Sequence, residues 1–358
     1  MVDSTNQHVV FDKRMTSIVK GVAIIFMLLL HCYETGDYDI ALNLDYSLFS
    51  RCYHVFKICI GIFAFLVGYG YAFSQAKDLK YSVKHIIKLL IPFWIIIFVF
   101  TWPLCLSEVL NSDVVTLVYN LFGISSYFNY YSWFVYFFIF AMIVMPFMAR
   151  FIAHRPVRNA VISIVIAYLL AVAVHEIPSL LNLLGFKVSD IIDNQPLLAL
   201  FNCMMMTPVM ILGFLFAHQG YYEKIEIQRL SSIETLVVCG LMLFIPLVLR
   251  FYRSAVFAFQ LDFFYAPIVI CAIVVFFNKF KCLAFRKVLI KMGEVSVYMW
   301  FFHALFFTKA VRWFYQPVIT IFSDINLVAL WTMILTFFAS WLIKTIVDAL
   351  TVRLIGVK

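Results

Sequence analysis

Lys20, His31 and Glu34, three side chains that can carry charge near neutral pH, share the stretch KGVAIIFMLLLHCYE, and their spacing is the first sign of chemistry in this chain. Lys20 and His31 stand eleven residues apart, which on an α-helix is about three turns and roughly 16 Å of rise, so they share one face. A charge inside a segment long enough to cross a bilayer is costly because no water solvates it, and such a group reads as functional by default. Imidazole changes charge near neutral pH, which suits it to proton transfer, and Glu34 at the third position beyond His31 can orient or charge it. The stretch therefore predicts a charged ligand met at Lys20 and proton chemistry at His31. The structural alternatives are a snorkelling lysine that anchors the helix end and a histidine hydrogen-bonded within a packed bundle. For Glu34 the alternative is an outer-loop carboxylate in an acidic run with Asp37, Asp39 and Asp45.

Composition decides what must hold these groups. Hydrophobic residues make up 65% of the 358 and charged residues 13%, where a soluble domain carries about a quarter charged. The fold class is all-α: a polytopic membrane protein with about ten transmembrane helices. Stretches long and apolar enough to span about 30 Å of hydrocarbon lie near 18–35, 55–75, 86–106, 133–150, 158–176, 197–217, 233–251, 262–278, 293–311 and 325–348. No polar region of comparable length separates them, so residues 1–358 read as a single transmembrane domain, with 1–17 a cytoplasmic N-terminal segment and no separate soluble domain. The polar start MVDSTNQHVVFDKR, with no small-residue cleavage site after the first apolar run, predicts no cleavable signal peptide. The eight cysteines form no CxxC pair, and Cys59, Cys105, Cys203, Cys239 and Cys271 lie in or at the ends of apolar runs, as small buried hydrophobes do.

Lysine and arginine set the expected orientation. With both termini in the cytoplasm, the outer segments hold only Arg51, Lys57, Lys187, Arg250, Arg253, Lys309 and Arg312; the rest of the 27 fall on the inner side. The net charge of +8 is then an inner rim facing anionic lipid head groups, and it needs no nucleic acid.

Motifs along the chain resemble the acyltransferase 3 family of integral membrane acyltransferases. Its first helix has Arg or Lys, ten intervening residues and His, filled here by Lys20 and His31. KICIGIFAFLVGYGYA resembles its Phe-rich second helix, with Gly68 and Tyr69 matching and Val67 in place of a serine. In KHIIKLLIPFW, His85 and Lys88 occupy the positions of two arginines ahead of Pro92, Phe93 and Trp94. Trp133 and Phe134 in YYSWFVYFF match a Trp-Phe-Leu segment. In GEVSVYMWFFHALFF, Gly293, Ser296 and His303 match a late Gly/Ser/His pattern, with Trp300 at a tyrosine position.

The resemblance implies transfer of an acyl group, usually acetyl, from cytoplasmic acyl-CoA to an acceptor at the outer face, commonly a glycan hydroxyl. It implies no permanently bound cofactor, acetyl-CoA as donor substrate, and a multi-pass location in a cell membrane, with membrane lipids around it and polysaccharide-synthesis or export proteins as candidate partners. Coenzyme A carries several phosphate charges, and Arg14, Lys20, Lys84, His85 and Lys88 are the expected basic site for it; lysine binds phosphate as a point charge rather than as a fork. His31 is the expected general base on the acceptor hydroxyl, or else the group that carries the acyl, with Glu34 its orienter. Lys57 stands where the family often has arginine and is expected to stabilise an oxyanion or bind the acceptor. The segment Tyr119–Trp133, YNLFGISSYFNYYSW, mixes aromatic rings with Asn and Ser as sugar sites do, which points to Tyr130 and Trp133; an interfacial aromatic belt is the other reading. His303 either touches the substrate path or is a packing histidine held by a hydrogen bond.

Other chemistries lack their signatures. There is no HxxxH or HExxH pair to suggest a metal, no Gly-x-Ser-x-Gly elbow and no phosphate-cradling glycine loop. A transporter of polysaccharide or lipid-linked sugar, with Lys20, His31 and Glu34 as gate or proton relay, is the alternative from a different class, and a non-catalytic export subunit is a third. Broken helices in corresponding positions of two halves, the mark of many transporters, are not evident.

Overall fold

In hydrocarbon every backbone N–H and C=O must find a partner within the protein, and helices do this within one segment. The structure, a computed structural model, describes residues 8–34, 46–74, 78–129, 131–186, 191, 194–252, 261–280 and 283–355, and among them there are helices and no strand. In chain order these are α1 (Lys13–Cys32), α2 (Tyr46–Phe56), α3 (Ile58–Ala72), α4 (Leu79–Ile95), α5 (Leu106–Asn111), α6 (Val114–Leu121) and α7 (Trp133–His154). There follow α8 (Pro156–Leu183), α9 (Gln195–Gln219), α10 (Ser232–Phe251), α11 (Asp262–Lys279), α12 (Leu283–His303), α13 (Arg312–Ile319) and α14 (Ile325–Ile355). Among the described residues ten helical stretches are long and apolar enough to cross a membrane. One combines α2 and α3 as Arg51–Ala72, and another extends α4 to Leu104 through a π-helical stretch, Ile96–Thr101. The protein is a multi-pass membrane protein.

Helix ends are capped by short polar side chains, as the chemistry of unpaired N–H groups requires. Asp12 accepts from the Met15 amide at 2.8 Å at the start of α1, and Asp78 from the Tyr81 amide at 2.8 Å at the start of α4. Ser231 and Glu234 form a reciprocal capping box on α10.

Glycines bring the central helices into backbone contact. Gly21 of α1 lies against the Leu289 carbonyl of α12, and Gly293 of α12 lies against the Ser17 carbonyl of α1, so a Cβ at either would strike backbone. Gly68 of α3 meets Met210 of α9, and Gly213 of α9 meets Phe65 of α3, in the same reciprocal way. Small residues permit this close approach, on which helix association in a membrane depends. The helices α1, α3, α9, α11 and α12 form the interior, whereas α8, α10 and α14 expose most of their apolar surface, as lipid-facing helices do.

Several spans differ from the sequence-based expectation by a turn or more, most of all the ninth, and the second is interrupted. The ninth span was expected at 293–311, yet α12 begins at Leu283 and its crossing ends at Phe306. Its first turns carry Arg286, Lys287 and Lys291, of which Lys287 and Lys291 are exposed, so a basic helix end imitates a loop in hydropathy. The second span is broken at Lys57, between α2 and α3.

Candidate active site

His31 occupies the last turn of α1, and Glu34 lies just beyond the helix end. The Nδ1–H of His31 donates to Oε2 of Glu34 at 3.2 Å, and the hydroxyl of Tyr131 donates to the same oxygen at 3.1 Å. The partner on one ring nitrogen fixes the tautomer, so the lone pair left for chemistry is on Nε2. Burial pushes the Glu34 carboxyl up from the usual carboxylate range, while the Tyr131 hydroxyl and the charge of Lys57 pull it back.

The Tyr131 ring stacks on His31 with centroids 3.3 Å apart, and His303 stacks against both, 5.1 Å from His31 and 5.4 Å from Tyr131. His303 is fully buried, its Nδ1–H donates to the Met299 carbonyl at 3.0 Å, and it lines neither cavity described below. It supports the pair from behind. Tyr131 is held by the segment before α7, which is latched to its surroundings. Asn129 donates to the Phe301 carbonyl at 3.2 Å, Trp300 donates through Nε1 to the Tyr131 carbonyl at 3.2 Å, and the Phe128 amide donates to Asn120 at 3.0 Å.

His31 and Glu34 line a cavity of about 640 Å³. Around it stand aromatic rings (Tyr53, Tyr127, Tyr131, Trp133, Trp300), the amides Gln195 and Asn202, the hydroxyls Ser125 and Ser126, and the cations Lys57 and Lys309. The break at Lys57 places this lysine at the wall, where its ammonium reaches the Tyr53 hydroxyl at 3.5 Å. The buried ion pair Arg250–Asp262 joins α10 to α11, and Arg250 also donates through Nε to the His54 carbonyl at 2.9 Å. Gly61 on α3 packs against Asp262, leaving no room for a larger side chain.

A second cavity, about 230 Å³, lies further down α1 and is lined by Lys20, His85, Tyr71, Tyr81, Ser296 and apolar side chains. Gly70 opens its wall to the surface. Lys20 is half-buried there, and the helix length between it and His31 separates the two cavities' ionisable groups. Among the described residues no group of three or more His, Cys, Asp or Glu is placed to share a metal ion.

The positions singled out in the sequence thus divide into groups. Lys20 and His85 come together at the smaller cavity; Arg14, Lys84 and Lys88 are exposed and do not line it. His31, Glu34, Lys57 and Trp133 come together at the larger one. Tyr130 lies outside the described residues, as do Asp37, Asp39 and Asp45. Tyr131, Gln195, Asn202 and Lys309 also line the larger cavity and carried no signal in the sequence that singled them out. Arg250, counted in the sequence as one of the charges between spans, is fully buried, 1% exposed.

No curated protein and no solved structure matches this chain. The family model described as an acyltransferase domain (Acyl_transf_3) matches residues 17–345, nearly the whole chain, from the helix of Lys20 and His31 to the last crossing. This multi-pass membrane protein therefore belongs to the acyltransferase 3 family and is an acyltransferase.

Proposed function

We propose that the protein is an O-acetyltransferase of a bacterial cytoplasmic membrane, with both termini in the cytoplasm, that moves acetyl from acetyl-CoA to a hydroxyl of a cell-surface or exported polysaccharide. The observation that carries this reading is the pairing of two cavities along α1, a basic one at Lys20 and an aromatic, hydroxyl- and amide-lined one at His31. In this reading the donor's phosphates meet the lysine-rich cytoplasmic end and its thioester arm enters past Lys20 and His85. The acceptor sugar lies in the larger cavity, against faces such as Trp133 and Tyr127.

Nε2 of His31 takes the proton of the acceptor hydroxyl as its oxygen attacks the thioester carbonyl. Glu34 holds the imidazole in the required tautomer and stabilises the imidazolium that forms. The carbonyl re-forms as the C–S bond breaks, and the departing CoA sulfur takes back the proton from His31. Lys57 supplies positive charge at the same cavity, for the acceptor or for the developing oxyanion. Membership of an acyltransferase family favours transfer over transport of a glycan.

Expression of the protein and of His31→Ala in a host that makes a candidate polysaccharide, with O-acetyl groups read by NMR, tests this. Acetylation is expected with the natural chain and not with the variant. Wild-type acetylation by His31→Ala overturns the role of His31, and the absence of acetyl ester from every hydroxyl-bearing polysaccharide tried overturns the acceptor class.

A further inference from the structure

The two cavities have one lining residue in common, Trp300. Its indole packs between Phe63 of α3, at 5.1 Å between centroids, and Phe134 of α7, at 4.5 Å, and both phenylalanines face the smaller cavity. The helices on either side repeat the same division. Ile60 faces the larger cavity and Phe63, one turn on, the smaller; Trp133 faces the larger and Phe134 the smaller. The three rings thus lie where the two cavities meet. The indole N–H is latched to the Tyr131 carbonyl at 3.2 Å, and the hydroxyl of that same tyrosine holds Glu34. The rings and the His31–Glu34 pair therefore share one support.

We propose that Trp300 is a movable partition between the donor and acceptor compartments: its indole seals the passage at rest and must turn aside for an acyl thioester to reach His31. This rests on the reading above, in which donor and acceptor approach from opposite faces. Such a device suits the chemistry. A permanently open channel between the cavities would admit water to the thioester and solutes across the membrane, whereas a fixed wall would keep the acyl group from His31. A tryptophan held by ring packing and one hydrogen bond is closed but displaceable, since a rotamer change releases both.

The test is sidedness of access in sealed proteoliposomes without donor. Val67, in the wall of the smaller cavity, is replaced by Cys, and labelling of its peptide by a membrane-impermeant anionic methanethiosulfonate is read by mass spectrometry. With Trp300 in place, labelling is expected from one side of the membrane only. In Val67→Cys, Trp300→Ala, labelling from the second side is gained, while the rate from the first side is unchanged. Trp300→Phe keeps a ring against Phe63 and Phe134 but loses the N–H to Tyr131, so it is expected to label from the second side more slowly than the Ala variant; it also serves if the Ala variant does not fold. Labelling from both sides with Trp300 present, or from one side only in both substituted proteins, overturns the assignment. The readout needs no acyl transfer. A sealed passage in a protein that fails to acetylate would refute the proposed function and leave the partition standing, and acetylation by a protein whose passage is open at rest would do the reverse.

Discussion

Glu34→Gln is the sharpest test of how the site works, because it preserves size and a hydrogen-bonding oxygen while removing the charge that faces the imidazole. The carboxylate oxygen is 3.2 Å from Nδ1 of His31. At an effective dielectric of about 20, a full charge pair at that distance interacts by about 5 kcal/mol. The Glu34 side chain is 28% exposed and shares the same oxygen with Tyr131, so screening reduces this. A charged hydrogen bond in such a setting contributes about 1.5–3 kcal/mol. The interaction matters most when His31 carries the acceptor's proton, so the loss falls on kcat, by roughly 10- to 150-fold, with KM for either substrate nearly unchanged. Tyr131→Phe removes one neutral donor from the carboxylate and is expected to slow kcat by only about fivefold. The assay is the initial rate of acetyl transfer by purified protein in proteoliposomes at saturating donor. A Glu34→Gln variant as fast as the natural protein, or one whose defect lies wholly in KM, refutes the reasoning.

Further outcomes follow from other parts of the structure. The double variant Lys20→Met, His85→Gln is expected to raise KM for acyl-CoA about tenfold, while Lys84→Gln, Lys88→Gln, at exposed positions, has a smaller effect that salt abolishes; kinetics at low and high ionic strength check this. Asp262→Ala leaves the buried Arg250 without its counter-ion and is expected to cost about 3–5 kcal/mol of stability, whereas Arg250→Met combined with Asp262→Leu costs less than either single loss; denaturation in detergent measures both. Gly293→Val drives a side chain into the Ser17 carbonyl and is expected to destabilise the α1–α12 crossing by about 1–3 kcal/mol or more. Gly240→Ala on the lipid-facing α10 meets nothing within 4 Å and serves as the harmless control in the same melting experiment.

The crossings were legible because hydropathy over some twenty residues is what a bilayer selects. Their ends were not, because a helix such as α12 extends its basic turns out of the hydrocarbon and there loses the apolar signal, as Lys287 and Lys291 do. Lys20 and His31 stood out for the same reason that the crossings did: each is an expensive group in an apolar run. Tyr131 had no such mark. It lies in an irregular segment, where no period marks an inward-facing ring, and its place is fixed by the latches from Asn129 and Trp300. Arg250 and Asp262 could not be paired from the sequence, since each alone reads as a charge at the end of a span and only the packing of α10 on α11 joins them. Gly21, Gly213 and Gly293 are similar cases: their reason is a backbone on another helix.

The claim on which the rest depends is that acyl transfer takes place at His31. Purified protein in proteoliposomes, supplied with ¹³C-acetyl-CoA and a hydroxyl-bearing polysaccharide, can be followed by NMR through the carbonyl of the new ester. The natural chain is expected to build that signal with time, and His31→Gln to slow its growth by a factor of about 10²–10⁴, the usual worth of a positioned general base. Ester forming at the natural rate in His31→Gln would contradict the account.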